Sequence, residues 1–295
     1  MTTAVRRLRS ALFVPAHRGD FREGALASGA DALILDLEDS VPAAERDAAR
    51  AALGDWFATP AGSPVICVRI NALEEHCLDA DLDAAVRPGL IAVMLAKANA
   101  TADVRRVAKA LTKRERRVGM SVGSVRIWPS LENAEAVRNA YDLACASNRV
   151  AYMGAAAAPN GDLAHALHFQ WTTSFLETLF VRSKVLLEVR AAGVPNPMTG
   201  VITNLRDLGE VESFARQSRA IGYEGMMVIH PSHVPIVNGV FGATAEDVAA
   251  ARRLLEAWEG ALSAGVGALD HEGQMVDAAM VRVARELVAR AEESE

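Results

Sequence analysis

Two carboxylates, Glu132 and Asp162, follow the fifth and sixth predicted strands of this 295-residue chain. Carboxylate oxygens that leave coordination positions open to water and substrate oxygens suit a hard octahedral cation such as Mg²⁺. Asp162 also precedes the helical segment LAHAL, so its alternative role is to cap that helix. An isolated Asp in that place is more often a cap, but the partner carboxylate Glu132 argues for a metal site.

Charged or titratable side chains follow most of the other predicted strands as well. They are Arg18, Asp36, Glu38, Asp39, Arg69, Lys97 and His230. In a parallel barrel the carboxyl ends of all strands lie on one rim, where barrel enzymes build their active sites. One such residue is expected by chance, whereas six or seven indicate a functional site.

Short apolar β-type runs alternate with longer helical patterns along most of the chain. The predicted strands are residues 11–14, 32–35, 65–70, 91–95, 125–128, 150–153, a weak 201–203 and 226–229. The predicted helices between them are residues 22–27, 43–57, 78–86, 102–111, 134–145, 172–192 and 205–221. Such alternation favours parallel strands joined by helical crossovers, and eight strands favour a closed (β/α)8 TIM barrel. A doubly wound open sheet is the alternative, although no G-x-G-x-x-G turn follows any predicted strand.

The C-terminal segment exceeds what a barrel needs. An amphipathic helix is predicted over residues 244–262, followed by a glycine-rich stretch and a final helix. The glycines predict a mobile segment over residues 263–273, of the kind that often closes over barrel sites. The expected organisation is a catalytic barrel over residues 1–242 and a helical extension or lid over residues 243–295.

The composition is that of an ordinary globular protein, with 51% hydrophobic and 23% charged residues. The formal net charge is −6 and no concentrated basic face is evident, so nucleic acid is disfavoured as a partner. The three cysteines, Cys67, Cys77 and Cys145, lack metal-binding spacing and fit a reducing cytoplasm. No apolar run is long enough to cross a bilayer, so a cytoplasmic protein without a membrane partner is expected.

The segments LFVPAHRGDF, LDLEDSVP and VRIN resemble the HpcH/HpaI aldolase and citrate lyase beta-subunit family. The resemblance continues through SLENA, DLAHAL, AIGYEGMMVIHPSHV and GQMVD, so it covers essentially the whole chain. It implies a (β/α)8 barrel that assembles as a homotrimer or a multiple of it. It also implies that two carboxylates, matched here by Glu132 and Asp162, bind Mg²⁺, or Mn²⁺ in its place.

Arg69 lies on an otherwise apolar strand, where an unpaired charge would be costly. By resemblance, its guanidinium binds the carboxylate of a 2-oxo acid such as glyoxylate, pyruvate or oxaloacetate. Its alternative role is an ion pair with Asp36 or Glu38, and the two roles are compatible. Asp36 and Glu38 lie at a strand end and are expected to face opposite ways; the resemblance implies that they hold waters near the metal. Asp39 or Ser40 is expected to cap the next helix.

Three further residues match positions of the family. Lys97 is expected to be an electrostatic neighbour of the metal site. Its alternative role is that of a Schiff-base lysine, but a lysine among carboxylates stays protonated and is then not a nucleophile. Asp277, in GQMVD, matches a general acid/base from a neighbouring subunit's tail, and helix capping is its alternative role. Arg18 is expected to contact coenzyme A. The expected catalytic residues are therefore Arg69, Lys97 and Asp277.

The resemblance predicts a Mg²⁺-dependent carbon–carbon lyase that acts on a coenzyme A thioester of a hydroxy-diacid or hydroxy-triacid, such as citryl-, malyl- or citramalyl-CoA. One alternative is a CoA-independent 2-oxo acid aldolase or an acyl-CoA thioester hydrolase on the same metal site. Another is a non-catalytic binding or assembly subunit. Two departures support this last reading: Met226 stands where relatives carry Lys, and the strand-six loop MGAAAAPNGD is longer than usual.

Overall fold

The computed structural model describes residues 5–60, 62–263, 265 and 267–292. These residues form two compact units, a barrel unit that ends at Phe241 and a C-terminal unit that begins at Gly242. Every strand end singled out for its charge belongs to the barrel unit, whereas Asp277 belongs to the C-terminal unit.

Eight parallel strands close into a barrel in the order β1 to β8, which confirms the predicted (β/α)8 fold. The strands are β1 (Ser10–Pro15), β2 (Ala32–Asp36), β3 (Val65–Ile70), β4 (Leu90–Leu95), β5 (Arg126–Leu131), β6 (Tyr152–Ala155), β7 (Asn196–Thr199) and β8 (Gly225–Val228). The register sets Pro15 beside Asp36 and Asp36 beside Arg69. The ends of the first three strands therefore share one rim.

Helices cover the outside of the barrel; α1 to α9 connect successive strands, and α10 follows the last strand. They are α1 (Arg22–Leu26), α2 (Arg46–Phe57), α3 (Leu78–Ala85), α4 (Thr101–Arg117), α5 (Ala134–Arg138), α6 (Ala140–Cys145), α7 (Asp162–Leu167), α8 (Leu176–Ala191), α9 (Leu208–Ile221) and α10 (Val234–Phe241). Helix α4 shows why they pack there. Its buried residues Val104, Val107 and Leu111 recur at helical spacing and form one apolar stripe.

The barrel has two apolar layers, because successive side chains of a strand point to opposite faces of the sheet. One layer fills the barrel interior and includes Ala11, Ile34, Cys67, Met94, Trp128, Met198 and Met227. The other lies between strands and helices and includes Leu33, Leu35, Val68, Val93 and Met226. Asp36 and Arg69 stand two residues beyond Ile34 and Cys67, so they continue the inner face at the rim.

The prediction of strand seven is wrong, because that strand lies at Asn196–Thr199 and residues 201–203 have no regular structure. Its sequence, NPMT, contains asparagine and proline, which are depleted in strands, and it pairs through only two residues with each neighbour. The predicted helix over residues 134–145 is interrupted at Asn139. The helix predicted from residue 172 begins at Leu176.

The C-terminal unit consists of α11 (Ala245–Ser263), a hairpin of β9 (Leu269–His271) and β10 (Gln274–Val276), and α12 (Ala278–Glu292). Trp258, Val276 and Val281 form its small core. The hairpin occupies part of the segment predicted as mobile, of which residues 264 and 266 lie outside the described residues. Among the residues that the structure describes, no helix is long and apolar enough to span a bilayer.

Candidate active site

A cavity of about 590 Å³ opens at the carboxyl ends of the barrel strands. Its lining divides into two parts along the rim. The charged arc is defined as Asp36, Asp39, Arg69, Glu132 and Asp162, which belong to the ends of β2, β3 and β5 and to the loop after β6. The apolar arc is defined as Phe13, Val201, Met227 and Ile229, which belong to β1, the end of β7 and β8.

Arg69 is the centre of the charged arc. Its Nε and Nη2 donate to the two carboxylate oxygens of Asp36, both at 2.6 Å. Its Nη1 lies 3.1 Å from Glu38 Oε2 and 3.2 Å from Asp39 Oδ2. The guanidinium carbon also lies 5.0 Å from the ring centre of Phe13. The expected ion pair with Asp36 or Glu38 is therefore present, and it involves both residues.

Asp36 is buried and remains ionised through its hydrogen bonds. Burial acts to raise its pKa, but the Arg69 guanidinium, the Ser40 hydroxyl and the Glu38 backbone N–H together hold the pKa below its usual value. The backbone N–H groups of Glu38 and Ser40 each donate to its carboxylate at 3.0 Å. These bonds fix the turn after β2 and so position Glu38 and Asp39.

Two expectations about this turn are wrong. Asp36 and Glu38 do not face opposite ways: residues two apart along a strand end share a face, and both side chains contact Arg69. Asp39 and Ser40 do not cap the next helical turn, which begins at Ala43 after Pro42. Asp39 lines the cavity instead; the sequence placed it at the rim with the other strand-end charges but assigned it only a capping role.

Lys97 connects three acidic side chains around the same rim. It adopts a left-handed backbone conformation after β4, with φ of 49°. Its Nζ donates to Glu38 Oε1 at 2.8 Å and lies 3.4 Å from both Asp39 Oδ1 and Asp162 Oδ2. Partial burial acts to lower the pKa of Lys97, but these carboxylates raise it above its usual value, so the ammonium form is favoured.

Glu132 follows β5 and is buried, with 8% of its surface exposed. Burial raises the pKa of Glu132 above its usual value, although Ser130 and Arg69 oppose that shift. The Lys97 backbone N–H is 3.4 Å from its Oε1. A cation placed beside this carboxylate would therefore stabilise its ionised form.

Asp162 is the first residue of α7, and the cap position before it is Gly161. Its side chain is 55% exposed and lines the same cavity as Glu132. The two predicted metal ligands thus share one cavity, although they come from different strands.

The charge balance of the site fits a divalent cation. Five carboxylates, those of Asp36, Glu38, Asp39, Glu132 and Asp162, surround the two cations Arg69 and Lys97. Within the described ranges, no three His, Cys, Asp or Glu side chains are grouped as a complete metal site. Two protein carboxylates with the remaining positions open are what Mg²⁺ commonly uses, because it keeps several waters.

The loop after β6 packs tightly against the end of β7. A Cβ atom at Gly200 would lie 2.4 Å from the carbonyl oxygen of Ala157, so no larger residue fits there without movement. This close approach seats the long loop MGAAAAPNGD on the rim. Ala156, Ala158 and Asp162 of that loop line the cavity.

Met226 does not belong to the cavity. It is fully buried in the layer between the strands and the helices, whereas its neighbour Met227 lines the cavity. The departure at Met226 therefore lies outside the cavity lining, and it is no longer an argument against catalysis. The alternation of side chains along β8 separates these two adjacent methionines.

Arg18 and Asp277 lie outside the cavity lining in the part of the chain that is described. Arg18 pairs with Asp20 at 2.6 Å and stacks on Phe21, with its guanidinium carbon 4.0 Å from the ring centre. Asp277 accepts hydrogen bonds from the backbone N–H groups of Ala279 and Met280, at 2.9 and 3.2 Å. It caps α12, which is the alternative role that the sequence left open.

The family model described as HpcH/HpaI aldolase/citrate lyase matches residues 9–231. A citrate lyase subunit beta-like protein of Deinococcus radiodurans is 34% identical over 291 residues, which cover 96% of each chain. A (3S)-malyl-CoA thioesterase of Cereibacter sphaeroides is 29% identical, over 96% of this chain and 94% of that protein. CitE from Mycobacterium tuberculosis, in its crystal structure with magnesium, acetoacetate and coenzyme A, is 30% identical in sequence to this chain. The two structures match with a TM-score of 0.73 over 96% of this chain and 97% of that one.

Proposed function

Because the chain belongs to the HpcH/HpaI aldolase/citrate lyase family, we propose that it is a Mg²⁺-dependent carbon–carbon lyase. Its substrate would be a coenzyme A thioester of a hydroxy-diacid or hydroxy-triacid, the class that includes citryl-, malyl- and citramalyl-CoA. The observation that carries the proposal is that Glu132, Asp162 and Arg69 line one cavity at the carboxyl ends of the strands. The CitE complex with magnesium, acetoacetate and coenzyme A supports it.

Glu132 and Asp162 would hold the metal, with water and substrate oxygens at the remaining positions. Bound there, Mg²⁺ would act as a Lewis acid toward the substrate oxygen whose charge changes as the carbon–carbon bond breaks or forms. Lys97 would neutralise Glu38 and Asp39 beside the metal ligands, since its Nζ lies within 3.4 Å of both. As a protonated ammonium ion it is not a Schiff-base nucleophile.

Arg69 would position the carboxylate of the 2-oxo acid through Nη1. Its Nε and Nη2 are held by the buried Asp36, whereas Nη1 contacts both the buried Glu38 and Asp39, whose side chain is 55% exposed. An exposed carboxylate is the one that a substrate carboxylate can displace at least cost. Arg69 would thus keep its orientation through Asp36 while exchanging Asp39 for substrate.

Cleavage requires a group that takes the proton of the substrate hydroxyl. The electron pair of the breaking carbon–carbon bond then passes to the α-carbon of the thioester, which takes up a proton; the products are a 2-oxo acid and an acyl-CoA. We assign the proton transfer to Asp277 of a neighbouring subunit. In that arrangement the chain forms a homotrimer or a multiple of it, and residues 243–295 act as a lid over the neighbouring barrel.

Coenzyme A would extend from the cavity toward Arg18, whose half-exposed guanidinium can exchange Asp20 for a phosphate. The runner-up function is hydrolysis of the thioester at the same site. It is favoured by the relatedness to the (3S)-malyl-CoA thioesterase, which is 29% identical to this chain. The two functions differ in whether water attacks the thioester carbonyl or the carbon–carbon bond breaks.

The deciding experiment measures acyl-CoA and free coenzyme A released from citryl-, malyl- and citramalyl-CoA, with Mg²⁺ and with a chelator. Magnesium-dependent release of acetyl-CoA together with a 2-oxo acid is the expected result. Release of free coenzyme A together with an intact hydroxy acid would assign the hydrolase function instead. If no thioester reacts although Mg²⁺ binds, free hydroxy acids test the CoA-independent aldolase. Failure to bind Mg²⁺ would favour the non-catalytic subunit.

A further inference from the structure

The apolar arc bears on which substituent the substrate carries on its hydroxyl-bearing carbon. Resting on the proposed lyase function, we propose that the apolar arc makes the site selective for a hydroxyacyl thioester with one free carboxylate and a methyl-sized group on the hydroxyl-bearing carbon. The corresponding product is a 2-oxo acid with a short alkyl chain. A substrate whose substituent at that carbon is a carboxymethyl group, and so carries a second free carboxylate, would be disfavoured.

The position of the apolar arc supports this assignment. In the closed barrel β7, β8 and β1 are neighbours and lie across from the ends of β3, β4 and β5. A 2-oxo acid held by Arg69 and by a metal on Glu132 therefore presents its other substituent to the side of Val201, Met227 and Ile229. Met227 is buried, and the other two are half-buried.

The distribution of cations points the same way. Among the described residues that line the cavity, Arg69 is the one cation, and its N–H groups already contact Asp36, Glu38 and Asp39. Lys97 is held on the charged side by Glu38 and Asp162. A second substrate carboxylate at the apolar arc would lose its water without gaining a cation, which is unfavourable. A methyl group at the apolar arc has no hydrogen-bonded water to lose, and its apolar surface is buried there.

The small size of the neighbouring residues leaves space for the substituent. Ala156 and Ala158 bring only methyl groups to the cavity from the loop after β6, and Gly200 brings none. These residues leave room for a short alkyl group beside Val201 and Met227. Gly200 cannot be enlarged, because a Cβ atom there would meet the backbone of Ala157.

The first test measures binding of 2-oxo acids to the full chain by calorimetry at saturating Mg²⁺. The probes are glyoxylate, pyruvate and oxaloacetate, which carry a hydrogen atom, a methyl group and a carboxymethyl group at the position in question. We expect pyruvate to bind about tenfold more tightly than glyoxylate, as one methyl group in an apolar pocket allows, and at least as much more tightly than oxaloacetate. Oxaloacetate binding as tightly as pyruvate would overturn the proposal.

The second test changes the arc itself with a matched pair of variants. Ile229→Lys adds a cation at the apolar arc, and Ile229→Met adds length without charge. We expect Ile229→Lys to shift the ratio of affinities toward oxaloacetate by about tenfold relative to Ile229→Met, because a charge-assisted hydrogen bond becomes available. An unchanged ratio in a folded Ile229→Lys protein would refute the assignment. If that variant fails to fold, the pair Val201→Lys and Val201→Met makes the same comparison.

Cleavage assays on the same proteins separate this inference from the lyase proposal. Citramalyl-CoA should be cleaved with a kcat/KM at least about tenfold above that of citryl-CoA. Preferential cleavage of citryl-CoA would contradict the selectivity while leaving the lyase function intact. If pyruvate binds preferentially but no thioester is cleaved, the lyase function fails and the selectivity of the cavity stands.

Discussion

The charged arc and the apolar arc lie on the same rim of the same barrel, but they are stabilised in opposite ways. On the charged side, Asp36 and Arg69 stand two residues beyond interior apolar positions and are compensated by each other. On the apolar side, Phe13 and Met227 simply continue the interior layer into the cavity. The charged arc therefore depends on precise pairing, whereas the apolar arc depends on shape.

This difference separates the two tasks that we propose for the cavity. Groups that bind a metal and a carboxylate must be charged, and burying them requires partners. Groups that select a substituent only need to present the right surface. Substitutions of the buried, paired residues Asp36 and Arg69 should accordingly affect turnover and stability, whereas conservative substitutions on the apolar arc should mainly affect selectivity.

The largest effect is expected for Glu132→Gln. It removes a proposed metal ligand, so kcat/KM should fall by about a thousandfold or more. The free energy of unfolding should change by less than about 1 kcal/mol, because burial already disfavours the carboxylate. Mg²⁺ titration calorimetry and steady-state kinetics measure the two effects. Glu135→Gln, on exposed surface of α5, is the matched control; full Mg²⁺-dependent activity of a folded Glu132→Gln protein would disprove the ligand assignment.

Arg69→Lys should have the next largest effect. Lysine keeps the charge but cannot make the two parallel bonds to Asp36, so we expect kcat/KM to fall by about a hundredfold and stability to fall by about 2 kcal/mol. The matched change on the apolar arc is Met227→Leu, which should cost less than about 1.5 kcal/mol. Chemical denaturation and kinetics give both quantities. Equal losses in the two variants would remove the distinction between the arcs.

Two acidic residues of the charged arc should respond differently to loss of charge. Asp36 is buried and paired, so Asp36→Asn should destabilise the protein by about 2–4 kcal/mol. Asp39 is half-exposed, so Asp39→Asn should cost less than about 1 kcal/mol and change mainly the KM for substrate. Urea unfolding of both variants makes this comparison. A larger loss for Asp39→Asn would contradict the view that Asp39 is the displaceable partner of Arg69.

The smallest effect is expected in the pH dependence of stability. Burial raises the pKa of Glu38 to about 7, against the opposing charges of Arg69 and Lys97. The folded chain therefore keeps a proton that the unfolded chain releases at its ordinary pKa near 4.5. The contribution of Glu38 to the free energy of unfolding therefore falls as the pH rises from 4.5 to about 7, by on the order of 1–3 kcal/mol.

Glu38→Gln should flatten this dependence in the presence of a chelator, as measured by urea unfolding at several pH values. Glu74→Gln, at an exposed position, serves as its control and should leave the dependence unchanged. An identical pH profile for the wild type and Glu38→Gln would show that Glu38 does not titrate in this window.

The sequence by itself determined the architecture and most of the charged arc. Alternating strand and helix patterns fixed the barrel, because each period follows from local backbone geometry. Charges at the ends of apolar strands or in the loops that follow them identified Glu132, Asp162, Arg69 and Lys97 as rim residues, since all parallel strands end on the same side. The position of the short strand β7 was not predicted from the sequence, because its residues are unusual for a strand and its structure depends on pairing with β6 and β8.

The sequence offered Asp36 or Glu38 as the partner of Arg69, but only the tertiary structure decided that both pair with it and where the apolar arc lies. The partners Asp36 and Arg69 are 33 residues apart, and the turn that brings Glu38 and Asp39 to the same guanidinium is held by hydrogen bonds to Asp36. Phe13, Val201 and Met227 look in sequence like any other apolar residues near a strand. They become one surface because closure of the barrel makes β8 and β1 neighbours, a contact that no local pattern encodes.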